Sequence, residues 1–156
     1  MTTQLAPGQS APSFELTDAT GSTVALSDFQ GRNVVVYFYP KAATPGCTTE
    51  ACDFRDNLAS LKSAGYSVLG ISPDPASSLQ SFIADHGLNF PLLSDEGSAV
   101  ANIYGAWGEK VVDGKTVEGV LRTTVVIDGN GQVVSSEYNV AAAGHVRRLR
   151  DSLGLS

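Results

Sequence analysis

Hydrophobic and polar residues change their spacing several times along the chain, and each change predicts a boundary between elements. Apolar and polar residues alternate in "SFELTDATGSTVALSDF" around a Thr-Gly-Ser turn, which predicts an N-terminal β-hairpin. Two continuous apolar runs, "NVVVYFY" (33–39) and "YSVLGIS" (66–72), are typical of strands buried on both faces. Near the C-terminus, "VLRTTVVID" and "QVVSSEY" are joined by "GNG" and predict a second hairpin.

Between these strands the apolar residues recur at helical spacing. One helix is predicted from Cys47 to about Ala64, and a second follows "PDP" and ends at Gly87. A short helix is predicted in "GSAVANIYG", and the last helix carries the apolar stripe Ala142, Val146, Leu149 and Leu153. Strands that alternate with helices and end in an antiparallel pair predict a single α/β domain over residues 1–156. The expected architecture is a thioredoxin-like fold: a mixed central β-sheet with helices on both faces and an N-terminal β-hairpin extension.

Composition and charge narrow the range of functions. The 156 residues are 42% hydrophobic and 17% charged, which is ordinary for a globular protein in water. A net charge of −6 argues against nucleic acid and anionic membranes as partners, and no apolar run reaches the roughly 20 residues of a membrane helix. The N-terminal residues show neither a basic start nor an apolar core, so we expect no secretory signal and a cytoplasmic protein.

Both cysteines of the chain lie in "YFYPKAATPGCTTEACDFRDN" (37–57), where Cys47 and Cys52 are five positions apart. Two closely spaced thiols are compatible with a redox pair, half of a metal site, a structural disulfide or chance. A zinc site needs four ligands, and the two histidines, His86 and His145, are too scattered to complete one, so we expect no metal cofactor.

Helical geometry separates the two thiols. On a helical wheel Cys47 continues a buried stripe, whereas Cys52 lies ~140° away on the solvent side. At the helix N-terminus, unpaired N–H groups and the dipole favour a thiolate at Cys47; Thr44 can offer a hydroxyl there, and Pro40 stiffens the loop. The two Cα atoms of an intact helix would be ~8.5 Å apart, which argues against a static disulfide. A bond formed during a reaction cycle, with local opening of the helix, remains open.

The same residues resemble a known family. The stretch "PKAATPGC" (40–47) fits the Pro-x-x-x-Thr-x-x-Cys signature of peroxiredoxins, and "GCTTEACDFRD" is similar to the Q-type, or bacterioferritin comigratory protein, subgroup. Three further segments look like that subgroup: "FPLLSD", "YGAWGEK" and "LRTTVVID". The resemblance implies a thiol peroxidase that reduces hydrogen peroxide and organic hydroperoxides without metal, haem or flavin.

The resemblance also implies a role for each matching residue. Cys47 matches the peroxidatic cysteine and Cys52 the resolving cysteine, which would form an intramolecular disulfide reduced by thioredoxin or a similar dithiol. Thr44 matches the hydroxyl that contacts thiolate and peroxide, Pro40 the ring that shields the pocket, and Arg122 the guanidinium beside the thiolate. The subgroup is commonly monomeric, so a monomer is expected.

Some features depart from the subgroup or allow simpler interpretations. Ala42 and Ala43 stand where the subgroup commonly has acidic residues. Glu50 is interpreted as a residue that complements the helix dipole and has no catalytic role. Thr44 also fits a helix cap, and Arg122 a surface charge.

Two other functions compete with a peroxidase. A thiol–disulfide oxidoreductase on the same fold is disfavoured because the Cys-x-x-Cys spacing is missing. A redox switch or holdase would use the same oxidation once, without turnover.

Overall fold

A computed structural model of the protein describes residues 4–154, so the first three and last two residues of the expected domain lie outside the described part. The described chain forms nine strands and four α-helices. The strands are β1 (Glu15–Asp18), β2 (Thr23–Ala25), β3 (Asn33–Phe38), β4 (Tyr66–Ser72), β5 (Leu92–Ser94), β6 (Trp107–Val112), β7 (Lys115–Val120), β8 (Thr123–Ile127) and β9 (Val133–Glu137). The helices are α1 (Pro45–Ser63), α2 (Ala76–His86), α3 (Ala99–Ile103) and α4 (His145–Ser152), and 3-10 turns span Leu26–Phe29 and Glu96–Ser98.

Seven of the strands form one mixed sheet in the order β2-β1-β5-β4-β3-β8-β9. Strands β3, β4 and β5 run parallel at its centre, and the pairs β1–β5, β3–β8 and β8–β9 are antiparallel. This is the predicted thioredoxin-like arrangement, with the N-terminal hairpin β1–β2 added to one edge.

Alternation along β3 divides the interior into two cores. Val35 and Tyr37 face α1, α2 and α4, together with Cys47 and Phe54. On the opposite face, Val34, Val36 and Phe38 pack against α3 and the N-terminal segment. Because both faces are covered, β3 reads as a continuous apolar run instead of an alternating one. The predicted helices on both faces are confirmed, although three of the four share one face.

Three details differ from the sequence-based prediction. Helix α1 begins at Pro45, two residues before Cys47, since proline is favoured in the first turn. Ala142 was predicted on the stripe of the last helix but precedes it, because the helix begins only after Gly144. The hairpin β6–β7 was not predicted: residues 111–118 are all exposed, so neither face of it shows an apolar pattern.

No helix among residues 4–154 is long and apolar enough to cross a membrane.

Candidate active site

The site is built at the N-terminus of α1, directly after the central strand β3. Thr44 occupies the N-cap position, Pro45 the first helical position and Cys47 the third. Cys47 is only 2% exposed, and it continues the buried stripe of α1 as the helical wheel predicted. Its thiol therefore lies in the first turn, where backbone N–H groups have no intrahelical acceptor and favour negative charge.

Arg122 provides the cation beside this thiol. Its Nη2 donates to Cys47 Sγ over 3.3 Å, across 75 positions of sequence. Arg122 immediately precedes β8, and the pairing of β8 with β3 brings it next to the start of α1. Gly46 makes the approach possible, since a Cβ at that position would lie 3.2 Å from Arg122 Nη2. The sequence-based expectation that Arg122 lies beside Cys47 agrees with this contact.

Glu50 is a buried neighbour of this pair that the sequence-based analysis did not place beside Arg122. The side chain is fully buried, and Oε1 accepts a 2.6 Å bond from Arg122 Nη1. One guanidinium thus bridges Glu50 and Cys47. The sequence-based interpretation of Glu50 as a complement of the helix dipole did not include this ion pair. An acidic residue one turn after Cys47 was the available signal, but only the fold shows that it faces inward.

Burial shifts the pKa values of the charged groups beside Cys47, namely Glu50 and Arg122. Burial raises the pKa of Glu50 to about 7, and the guanidinium of Arg122 opposes that rise. Burial also disfavours the charged form of Arg122, but Glu50 and Cys47 outweigh it and raise the pKa of Arg122 above its ordinary value. Arg122 therefore stays a cation, while Glu50 is poised to change charge near neutral pH.

Thr44 is oriented by the loop and does not cap the helix. Its hydroxyl donates to the carbonyl of Lys41 over 2.8 Å, and it makes no side-chain capping bond. The hydroxyl proton is used in this bond, so the oxygen keeps its acceptor capacity. Pro40 is half-buried and joins the end of β3 to the same loop.

Cys52 lies away from this cluster. It was predicted on the solvent side of the helix and is half-buried, and both thiols are free. Cys52 belongs to the same unbroken helix as Cys47, which separates the two sulfurs as the helical spacing requires.

Lys110 is a second cation near the site that sequence reasoning missed. The side chain lies over Gly119, where a Cβ would approach its Cε to 3.2 Å, and Nζ donates to the Val120 carbonyl over 2.8 Å. Burial lowers the pKa of Lys110, and Arg122 acts in the same direction, whereas Cys47 opposes them. The residue lies on the unpredicted hairpin β6–β7; its one sequence signal was its place at the end of the subgroup-like segment "YGAWGEK".

Among residues 4–154, no group of three or more His, Cys, Asp or Glu side chains is placed to hold a metal ion.

A thioredoxin-like fold with a buried thiol at a helix N-terminus, bonded to a guanidinium, is the arrangement of a thiol-dependent redox enzyme. The chain belongs to the AhpC/TSA family, which matches residues 7–136.

Individual relatives narrow this class. The chain is 51% identical to peroxiredoxin Bcp of Escherichia coli over 129 residues, 83% of each protein. It is similar to the solved structure of the Xanthomonas campestris bacterioferritin comigratory protein, with a TM-score of 0.85 and 34% identity over 99% of this chain and 98% of that one. A Xylella fastidiosa PrxQ structure gives a TM-score of 0.90 at 29% identity, over 97% of each chain. The protein is thus a peroxiredoxin of the Bcp, or Q, group and a thiol-dependent peroxidase.

Proposed function

We propose that Cys47 is the peroxidatic cysteine and Cys52 the resolving cysteine of this enzyme. The Cys47 thiolate attacks one oxygen of ROOH, the O–O bond breaks, and the products are a Cys47 sulfenate and ROH once the leaving oxygen takes a proton. The protonated sulfenate condenses with the Cys52 thiol, which forms an S–S bond and releases water. A dithiol then reduces the disulfide, restores both thiols and is itself oxidised.

The contact between Arg122 Nη2 and Cys47 Sγ is the observation that carries this assignment. A guanidinium cannot lose its proton under ordinary conditions, so it favours the thiolate over the thiol. Its remaining donors also suit an oxygen on which charge develops as the O–O bond breaks. Thr44, with its hydroxyl proton directed to Lys41, is oriented to accept from the peroxide OH.

Disulfide formation requires the start of α1 to open. The segment Pro45–Cys52 is joined to other elements by the side-chain bonds from Arg122 to Cys47 and Glu50. Beyond Cys52 the helix is fastened at both sides, where Arg55 Nη1 donates to the His86 carbonyl over 2.6 Å and Arg150 Nη1 donates to Asn57 Oδ1 over 2.7 Å. Opening of the first two turns would therefore leave the rest of α1 in place.

The proposal extends to substrates, reductant and assembly. Hydrogen peroxide and organic hydroperoxides are the proposed substrates, in keeping with the alkyl peroxide reduction activity of the Xanthomonas campestris relative. Thioredoxin or a similar dithiol is the proposed reductant. We further propose that the protein is cytoplasmic and has a single domain. We also propose that it is a monomer, which sedimentation of the reduced protein would test.

One mass measurement tests the thiol chemistry. Reduced protein receives one equivalent of hydrogen peroxide and is weighed intact and after digestion. The expected result is a loss of two hydrogens that maps to a Cys47–Cys52 link. Cys47→Ser should form no sulfenate, whereas Cys52→Ser should react once and stop. Two free thiols after prolonged exposure would contradict the proposal, and oxidation without turnover by thioredoxin or another dithiol would favour a redox switch.

A further inference from the structure

The loop that carries Thr44 contains a residue in an unfavourable backbone conformation. Ala43 has a φ of +67°, in the left-handed region that L-residues with a Cβ seldom occupy. Such a residue costs on the order of 1 kcal/mol and persists only where its surroundings hold it. Ala43 itself is exposed, so its own side chain does not hold the loop.

A carboxylate from a distant part of the chain supplies this restraint. Asp74 Oδ2 accepts a bond from the backbone N–H of Ala42 over 2.7 Å, across 32 positions of sequence. Ala42 is 7% exposed and packs in the same core cluster as Cys47. The bond therefore fixes the residue just before the left-handed turn, two positions from Thr44.

The backbone and side chain of Asp74 are themselves held in place by their neighbours. It lies between Pro73 and Pro75, which restrict its backbone from both sides, directly after β4. Ser72 Oγ donates to the same Oδ2 over 2.8 Å, and Ser94 Oγ donates to the Asp74 carbonyl over 2.7 Å. A stiff segment at the carboxyl end of β4 thus carries the restraint to the loop at the end of β3.

We propose that Asp74 is a positioning residue for peroxide reduction: its bond to Ala42 holds the left-handed turn at Ala43 and so sets the place of Thr44. Asp74 acts through the loop, and Cys47 keeps its own contacts to the helix N-terminus and Arg122. This inference rests on the proposed function of Cys47 and Thr44. It predicts that loss of Asp74 lowers the rate constant of Cys47 with peroxide but leaves its rate constants with other thiol reagents nearly unchanged.

The test compares two rate constants of Cys47 in each variant, one with hydrogen peroxide and one with iodoacetamide. Asp74→Ala should slow the peroxide reaction about tenfold, since small misplacements of positioning groups have effects of that order or larger. Its iodoacetamide reaction should stay within about twofold of wild type, because alkylation does not use the loop. Asp74→Asn keeps an acceptor for Ala42 and should restore most of the rate. Adding Ala43→Gly to Asp74→Ala should also recover part of it, since glycine adopts positive φ without strain.

Asp128→Ala is the matched control. Asp128 accepts backbone bonds from Asn130 and Gln132 at the other end of β8, so its loss should lower stability without changing the ratio of the two rates.

An unchanged ratio in Asp74→Ala would overturn the inference, whereas wild-type protein inert to peroxide would overturn the proposed function instead. Should Asp74→Ala not fold, amide exchange in wild type decides: the Ala42 amide should exchange at least about tenfold more slowly than that of exposed Ala43, and equal rates overturn the inference.

Discussion

The two parts of helix α1 are held in different ways. In Pro45–Cys52, the one side chain among residues 4–154 that hydrogen-bonds to the segment from outside α1 is Arg122, just before β8, which bonds to Cys47 and Glu50. In the remainder, Arg55 bonds to the end of α2, and Asn57 receives a bond from Arg150 of α4. The side-chain hydrogen bonds to the reactive part thus come from one guanidinium that bridges two partners, whereas two separate arginines bond in the rest of the helix.

This difference matches the demands of the proposed cycle. Cys47 must be held tightly enough to react and released readily enough to meet Cys52. A bond to a thiolate weakens once the sulfur becomes a neutral sulfenic acid, because the charge that strengthened it has been lost. The first part of α1 can therefore open after oxidation while the second part preserves the fold.

Replacement of the single tether should have the largest effect. Arg122→Lys keeps a positive charge for Glu50 but loses the planar fork that reaches both partners. We expect the peroxide rate constant to fall about 100-fold, the size typical for the loss of one oriented donor. Stopped-flow measurement on reduced protein would show this, with Lys62→Arg on the exposed end of α1 as a control. A rate within about threefold of wild type would contradict the role of Arg122.

Acid should destabilise α4, the helix whose Arg150 bonds to Asn57 in the second part of α1. His145 of α4 is buried, bonds to Thr124 Oγ1 over 2.7 Å, and is faced by Arg122 and Arg148. Burial lowers the pKa of His145 to about 4 from 6.5. Below pH 6.5 His145 is protonated in the unfolded chain but stays neutral in the folded protein. The stability contributed by neutral His145 is therefore lost as pH falls towards 4. The loss amounts to about 3 kcal/mol.

Urea unfolding of wild type and His145→Gln between pH 7 and pH 4 would measure this effect as a difference. Gln can still bond to Thr124 and does not titrate, so the variant should lose less stability on acidification. Parallel curves for the two proteins would refute the assignment. The comparison must be made between variants, because the buried Glu50 titrates in an overlapping range.

Glu50→Gln should change the pH dependence in the opposite direction. The raised pKa of Glu50, about 7 through burial, means that the fold binds a proton more readily than the unfolded chain. Its stabilising contribution is present below pH 4.5 and is lost as pH rises towards 7. Glu50→Gln should remove this slope and, by retaining an acceptor for Arg122, slow peroxide reduction by about tenfold or less. Asp85→Asn, an exposed carboxylate on α2, is the control.

Loss of the bond between Arg150 and Asn57, in the second part of α1, should have the smallest effect on stability and on the peroxide rate. Arg150→Met keeps most of the apolar stem but removes the bond to Asn57, at a cost of about 1 kcal/mol. The melting temperature should fall by a few degrees while the peroxide rate stays within about twofold. Arg147→Met, an exposed neighbour on α4, should change neither. A large loss of peroxide rate in Arg150→Met would mean that the two parts of α1 do not act separately.

Local sequence patterns were sufficient to predict much of the fold and the place of Cys47 on the buried side of a helix N-terminus. The strands 33–38 and 66–72 are continuous apolar runs, and α1 carries a regular buried stripe, so each element has a pattern of its own. The hairpin β6–β7 has no such pattern, because its outer residues are exposed on both faces. Its cation Lys110 was missed for that reason.

The sequence by itself determined that Cys47 starts a helix on its buried side and that Cys52 does not share that side. The family resemblance implied a guanidinium beside the thiol at Arg122, whereas the tertiary structure decided the contacts themselves. Arg122 reaches it because β8 pairs with β3, Glu50 is buried against the same guanidinium, and Asp74 restrains the loop of Thr44 from the end of β4. Periodicity records which face of an element is apolar, whereas contacts across 75 or 32 positions depend on the pairing of strands, which no local pattern encodes.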